Sequence, residues 1–246
     1  MSRAARNFRI LGKTIKYAFI LLIILINLFL VWRVFSSSDP SSMKPLSPND
    51  ALVSAYEKNP SLDSMFSQEQ RSTTSTERNY GYFSVSRVVF IPEANQIQLI
   101  FRYNNGTLRS TQKDFGLDSA PSREGEVYDV SLIVVTDLTP ENKEDNLSTD
   151  ENAVKKTRIK PLYSVSDQST LYNYRRLVFD LGDLNLSELV NSGNLISVFA
   201  DVYYNGALDY EKEPYGTLCL YDYITETKPA KVSSADKKAL NGYLGK

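Results

Sequence analysis

The sequence predicts an all-β protein in which two antiparallel sheets pack as a sandwich, preceded by a single N-terminal transmembrane helix and a stalk. Three observations predict this arrangement. An apolar run occupies residues 17–35, a stretch rich in Ser, Thr and Pro follows over residues 36–79, and residues 80–225 alternate apolar and polar side chains. Alternation with a period of two is typical of half-buried strands, and an apolar run of this length is typical of a membrane-spanning helix.

The apolar run from Tyr17 to Phe35 is just long enough to span a bilayer. Its 19 residues extend about 28 Å as a helix, against a hydrocarbon core of ~30 Å. Tyr17 and Trp32 lie near its ends, where aromatic rings favour the membrane interface. Asn27 is a polar residue deep in the run. It is a candidate contact with a neighbouring transmembrane helix, with its own backbone as the alternative hydrogen-bond partner.

The charges around the run predict its orientation. Residues 1–16 contain five cations and no acid, and few cations follow the run. Basic flanks face the cytoplasm, so we predict a cytoplasmic segment at 1–16 that contacts the lipid bilayer and a C-terminal domain outside the cell membrane. A cleavable signal peptide ending near Ser36 is the alternative. The length of the run and the cation Arg33 favour an uncleaved signal anchor over residues 17–35.

Residues 36–79 have the composition of a solvated spacer and are predicted to be a stalk that contains short helices. Ser47-Pro48-Asn49-Asp50 supplies an N-cap, a proline and an acid for a first helix, which continues as ALVSAYEK. The segment from Leu62 to Gln70 is a candidate for a second.

About seven short strands are predicted between residues 80 and 225. Pro161 would confine its strand to a sheet edge. Short strands without long helical periods between them favour an immunoglobulin-like sandwich over a βαβ sheet. Residues 183–191 are predicted to be a short helix ended by Gly193, and residues 226–246 a polar C-terminal tail with at most a short helix near residues 235–241. The strands are predicted near residues 83–91, 96–103, 128–134, 159–163, 176–181, 196–202 and 218–224.

The chain after residue 35 is acidic, and the chain contains no histidine. Residues 36–246 carry 22 of the 28 cations and all 29 acids. This balance argues against a nucleic-acid partner, because such binding depends on cations that neutralise phosphates. The absence of histidine excludes Ser-His and Cys-His catalysis and imidazole metal sites, and we predict neither a cofactor nor a metal. The single cysteine, Cys219, has no partner for an intrachain disulfide and is expected to be a small buried strand residue.

The loop from Tyr204 to Tyr215 is the candidate partner-binding site. It joins two predicted strands and contains Tyr204, the turn-forming pair Asn205-Gly206, Tyr210 and Tyr215. Tyrosine is suited to protein interfaces and also stacks on sugars, so glycan binding is an open possibility alongside another protein. Because tyrosine also favours strands, a purely structural role is the alternative. A second loop, residues 137–151, carries six acids and is a candidate weak Ca²⁺ site, with an ordinary solvated loop as the alternative.

One motif points to an enzyme. Ser42-Met43-Lys44-Pro45 resembles the Ser-Met-x-Pro box of type I signal peptidases, a family with an N-terminal membrane anchor and a β-rich outer domain. The segment from Arg175 to Asp183 loosely resembles the family's Lys-Arg box, which ends in Gly-Asp. The resemblance implies Ser42 as a nucleophile and a neutral lysine as its base. The matching position is Arg175, and arginine does not act as a base because its pKa lies above ~12.

The leading hypothesis is a non-enzymatic, single-pass membrane protein whose outer β-sandwich is a binding or assembly module for another protein. The alternative is an accessory subunit that contacts its partners through the transmembrane helix. A membrane-bound serine protease resembling type I signal peptidase is a remote alternative.

Overall fold

The computed structural model describes residues 3–37, 39–68, 83–123, 126–137, 154–206 and 213–245. The chain forms two compact units, residues 1–38 and residues 39–246. The first contains one long helix, and the second is mostly β with two antiparallel sheets. The coarse fold class predicted from the sequence is therefore confirmed, namely a two-sheet antiparallel β protein with one apolar N-terminal helix.

Helix α1 (Arg3–Ser37) accounts for all the described structure of the first unit. Its part from Lys13 to Arg33 is 21 residues long and apolar enough to cross a membrane. The large apolar side chains of this part are exposed all round the helix, which is the pattern of a helix whose surroundings are themselves apolar. Asn27 donates its Nδ2 to the carbonyl oxygen of Ile23 at 2.8 Å, one turn earlier. Of the two partners considered for Asn27, a neighbouring transmembrane helix or its own backbone, the structure shows a hydrogen bond to its own backbone.

The second unit contains four α-helices, two short 3-10 helices (Ser41–Met43 and Pro92–Ala94) and ten strands among its described residues. Sheet A has the strand order β10-β1-β2-β3-β7-β6 and sheet B the order β5-β4-β8-β9. Neighbouring strands are antiparallel throughout. In chain order the elements are α2 (Asp50–Lys58), β1 (Phe66–Gln68), β2 (Ser84–Ile91), β3 (Gln96–Asn104), α3 (Asn105–Asp114), β4 (Tyr128–Asp137), β5 (Val154–Ile159), β6 (Tyr163–Gln168), β7 (Tyr172–Asp180), α4 (Leu186–Asn191), β8 (Leu195–Tyr204), β9 (Gly216–Asp222), β10 (Thr227–Pro229) and α5 (Ser234–Tyr243).

One apolar cluster fills the space between the two sheets. Alternate residues of β3 and β4, which the sequence predicted to share one face, are all 2 % exposed or less: Ile97, Leu99, Phe101, Tyr103, Tyr128, Val130, Leu132 and Val134. The predicted apolar faces of these two strands are confirmed as the core faces.

The opposite face of sheet A is also buried, although polar side chains occupy it along β3. Gln96 is 0 % and Gln98 is 3 % exposed. Gln98 accepts from the backbone N–H of Ser47 at 2.8 Å and donates to its carbonyl at 3.0 Å. The side-chain amides of Gln96 and Asn49 form two hydrogen bonds with each other, at 2.8 and 3.1 Å. A buried amide is stable there because the facing segment supplies its partners.

That facing segment is residues 39–68, which we name the strap, and it corrects the predicted stalk over residues 36–79. Leu52 and Leu62 of the strap are fully buried, and they pack with Val89, Ile91 and other residues in a second apolar cluster. Helix α2 forms where Asn49 caps it, accepting from the Leu52 N–H at 3.0 Å. The candidate second helix is instead the short strand β1. The remainder of the predicted stalk, residues 69–79, lies outside the described residues.

The C-terminal residues are likewise part of the fold and not only a polar tail. Strand β10 pairs with β1, and Leu240 of α5 is fully buried in the same cluster as the strap. Asp236 is 0 % exposed. Its carboxylate caps α5 through Ser233 and accepts from the Leu46 N–H of the strap at 2.6 Å. The first and last segments of the second unit therefore meet on the outer face of sheet A.

The region around Pro161 contains two strands where the sequence predicted one. Strand β5 ends at Ile159 in sheet B and β6 begins at Tyr163 in sheet A, so the chain changes sheets at Pro161. Helix α4 matches the predicted short helix, and Gly193 follows it with φ +64°. Helix α3 was not predicted from the sequence. Asn104 and Thr107 form a capping box that begins it.

Candidate partner-binding surface

The predicted binding residues lie at one end of the sandwich, where β8 ends and β9 begins. Tyr204 is the last residue of β8, Asn205 and Gly206 form the turn after it, and Tyr215 immediately precedes β9. The structure brings Tyr204, Asn205 and Tyr215 together beside the end of α3. Tyr210 lies outside the described residues.

Asn205 attaches the turn to the start of strand β4. Its backbone N–H donates to the Val127 carbonyl at 3.1 Å. Its Nδ2 donates to the Glu126 carbonyl at 2.5 Å and to Asp129 Oδ1 at 3.3 Å. Asn205 is thus a turn residue whose side-chain nitrogen is bonded within this chain, while its buried Oδ1 has no hydrogen-bond partner among the described residues.

An aromatic cluster lies beneath the turn and includes both predicted tyrosines. The Phe115 ring centroid lies 4.8 Å from that of Tyr204 and 5.2 Å from that of Tyr215. Tyr215 is only 6 % exposed, and its hydroxyl donates to Asp114 Oδ2 at 2.7 Å. This corrects the expectation of an exposed contact at Tyr215, whose ring completes the core. Phe115, at 37 % exposed, and the half-buried Tyr204 form the accessible aromatic surface.

The buried phenols in this cluster are held neutral. Burial raises the pKa of Tyr128, outweighing the opposing effect of its hydrogen bond with Thr111. Burial also raises the pKa of Tyr215, and the hydrogen bond to the Asp114 carboxylate acts in the same direction. Neutral, hydrogen-bonded phenols are stable in this buried end of the sandwich because each hydroxyl has a partner.

A buried arginine connects the two sheets next to this cluster. The Arg175 guanidinium of β7 donates to the Tyr128 carbonyl, to Glu126 Oε1 at 2.7 Å and to Ser164 Oγ at 3.2 Å. Arg175 is 4 % exposed. This position matches the lysine of the signal peptidase box, and the structure gives its side chain a cross-sheet structural role.

The structure places Ser42, the implied nucleophile, apart from Arg175. Its hydroxyl donates to the Asp167 carboxylate, and its carbonyl accepts from the neighbouring Arg176. The bonded partners of Ser42 are therefore a carboxylate and an arginine. The resemblance implies that a lysine amine removes the proton of the serine hydroxyl. The arginine bonded to Ser42 cannot do this, because its pKa is too high.

A small cavity of ≈ 10 Å³ lies between the strap and sheet A, and Met43, Leu46, Arg87, Gln98, Ile100 and Arg176 are among its lining residues. A space of this size holds about one water molecule. Sites for organic ligands are typically ~300 Å³ or larger, so this cavity is not a small-molecule site.

The described part of the chain contains no group of three or more acidic or cysteine side chains able to hold a metal ion. The candidate Ca²⁺ loop at residues 137–151 lies outside the described residues except for Asp137. Cys219 is half-buried in β9, in keeping with the expected strand position, and its thiol donates to the Tyr221 carbonyl at 3.5 Å.

Comparison with known proteins gives no relative: the sequence matches no protein-family model and no curated protein, and the structure matches no solved structure.

Proposed function

We propose that this protein is a single-pass, membrane-anchored binding or assembly module whose folded domain lies on the outer side of the membrane. The observation that carries the proposal is an unburied apolar helix, Lys13–Arg33, followed in sequence by a β domain that has its own hydrophobic core. A helix with exposed apolar side chains on every face is stable in a bilayer and not in water. The five cations in residues 1–16 support a cytoplasmic N-terminus, since basic flanks favour the cytoplasmic side.

We further propose that the domain is immunoglobulin-like. The support is the order of its eight longer strands. Read in sequence as A, B, C, C′, D, E, F and G, strands β2 to β9 give the sheets A-B-E-D and C′-C-F-G, which is the order of immunoglobulin-type sandwiches. Such sandwiches present loops and edges to partners on a rigid scaffold.

Protease protection combined with mass measurement tests the membrane arrangement. A tag at the C-terminus is expected to be digested from outside intact cells, and the mature chain is expected to retain residues 1–36. A protected tag would contradict the outer location. A mature chain beginning near Ser37 would contradict the anchor.

Exchange of the helix tests which unit binds. Residues 13–33 are replaced by an unrelated membrane span, and partners are captured by crosslinking in cells. The proposal expects the same crosslinked partners with the exchanged anchor and their loss when residues 39–246 are deleted. Partners that follow the original helix would support instead the accessory-subunit alternative through Asn27, and a substitution Asn27→Leu would then reduce the crosslinks.

A further inference from the structure

Two edge strands lie on the same side of the domain. Strand β5 is the last strand of sheet B, and β6 is the last strand of sheet A. Only residues 160–162 connect them. Three residues extend about 10 Å, the distance between two packed sheets, so the edges of both sheets open on one side of the sandwich. Leu162 and Val165 are exposed there, at 58 % and 41 %.

This side is cationic in an otherwise acidic domain. Four of the six residues from Lys155 to Lys160 are cations, and all four are exposed, whereas residues 36–246 carry 22 cations against 29 acids. Lys156 and Arg158 pair across the ladder with Val135 and Ile133 of β4, so both side chains lie on the outer face of sheet B. Lys160 is also exposed and directly follows the last residue of β5.

Lys156 and Arg158 lie ~6.8 Å apart on one face, because alternate residues of a strand share a face, and Lys160 extends the row of cations past the end of the strand. Arg158 is held in position. Its guanidinium donates to the Tyr203 hydroxyl at 2.7 Å and lies 5.2 Å from the centre of the Tyr203 ring. An ordered row of charges at a strand edge is recognised best by charges repeating at the same interval.

Strand β5 has one ladder neighbour, β4, among the described residues. The other edge of such a strand presents backbone N–H and C=O groups that another extended backbone pairs with. Lipid headgroups and polyanions can neutralise the cations, but they cannot pair with the alternating N–H and C=O groups of a strand's backbone. The combination of exposed cations and an edge that no described strand occupies therefore fits a polypeptide.

We propose that β5 accepts an extended acidic segment of a partner protein as an added strand of sheet B, with acidic residues at alternate positions facing Lys156, Arg158 and Lys160. This names the partner class for the binding module and rests on that proposed function. Lysines on an edge strand also deter pairing. Their effect is selective, because opposite charges directly across a ladder stabilise it and like charges destabilise it.

Synthetic peptides test the proposal on the full chain in neutral detergent micelles. A fluorescent eight-residue peptide with glutamates at alternate positions, separated by threonine and valine, is titrated and followed by anisotropy. A second peptide has the same composition with its glutamates contiguous. Two further peptides carry N-methyl groups on alternate amides, one on the odd and one on the even positions. The proposal expects binding by the alternating peptide, weaker binding by the contiguous one, and loss of binding for only one of the N-methylated pair, since one set of amides faces β5.

Protein variants locate the site. Lys156→Glu combined with Lys160→Glu is expected to weaken the alternating peptide about fivefold or more, since two facing pairs change from attraction to repulsion. Arg158 is left in place because it packs on Tyr203. The matched control is Lys237→Glu with Lys238→Glu, which changes the net charge equally at two exposed positions of α5. Near-ultraviolet circular dichroism verifies the fold of each variant.

Three results overturn the proposal: no binding of the alternating peptide, equal binding of both N-methylated peptides, or equal weakening by the two pairs of substitutions. These failures leave the binding-module function standing if crosslinked partners still follow the domain after anchor exchange. Crosslinks that follow the helix instead refute the binding-module function, whatever the peptides do.

Discussion

Replacing Leu52 by alanine tests whether the strap is part of the folded domain. Leu52 is 0 % exposed in α2 and packs in the cluster that joins the strap, the outer face of sheet A and α5. Ser54, two residues later on the same helix, is exposed. Ser54→Ala is therefore a matched control that changes the helix without opening a cavity.

The expected effect follows from the burial of the leucine side chain. A fully buried leucine replaced by alanine lowers the free energy of unfolding by ~2–5 kcal/mol. For a domain of about 200 residues each kcal/mol lowers Tm by ~2–4 °C, so Leu52→Ala is expected to lower Tm by about 10 °C. The control is expected to stay within ~0.5 kcal/mol of the original protein.

Thermal unfolding of the full chain in neutral detergent is the assay. The near-ultraviolet circular dichroism of the packed tyrosines reports the β domain, while the far-ultraviolet signal also contains α1. If Leu52→Ala and Ser54→Ala unfold at the same temperature as the original protein, the strap is a spacer and the buried cluster is not a stabilising part of the domain.

Three other predictions concern ionisable groups. Burial raises the pKa of Tyr128 and of Tyr215 above the ~10 of an unfolded chain, so their stabilising contribution is full below that pH and is lost as the pH rises towards the folded-state values. The free energy of unfolding is expected to fall above pH ~10 by up to ~1.4 kcal/mol per pH unit for each tyrosine. Tyr128→Phe removes one titrating group, so the free energy of unfolding, measured with urea at pH 9–12, is expected to fall less steeply with pH in this variant. An equally steep fall in the variant and the original protein would contradict this. Arg175→Met is expected to lower the free energy of unfolding by ~1–3 kcal/mol, because the Tyr128 carbonyl loses its donor, and a neutral effect in urea titration would count against the cross-sheet role. Burial raises the pKa of the Cys219 thiol, so iodoacetamide is expected to alkylate it more slowly at pH 8 than it alkylates glutathione, and an equal rate would refute its half-buried position.

The strand faces were predictable because each side chain along β3 and β4 meets the same environment at every second position. Ile97 and Leu99 lie in the core, as their alternation predicted. Burial of the intervening Gln96 and Gln98 was not predictable from polarity. A glutamine that faces water and one that faces the backbone of another segment look alike in the sequence.

The strap was missed because its composition hides its apolar residues. Leu46, Leu52, Leu62 and Met65 are buried, but prolines and serines separate them and no single period runs through the segment. Helix α3 was missed for a related reason. Leu108 is its only buried aliphatic side chain, so the Asn104 cap was the main local signal. At the candidate surface, the sequence placed Tyr204 and Tyr215 near each other but could not separate the accessible ring from the core ring.

The contact between the first and last segments of the second unit determines when this domain can complete its fold. Strand β1 pairs with β10, and the Leu46 N–H of the strap finds its carboxylate only at Asp236, 190 residues later. Contacts so distant in sequence form last, after the intervening chain has been made. The strap can cover its part of the outer face of sheet A as soon as β3 exists, whereas the part of the cluster that Leu240 fills stays open until the final helix has been made. A chain that stops before residue 226 is expected to keep the strap but to expose the side chains that Leu240 covers and to leave the Leu46 N–H without its carboxylate, which makes the unfinished domain a better protease substrate than the finished one.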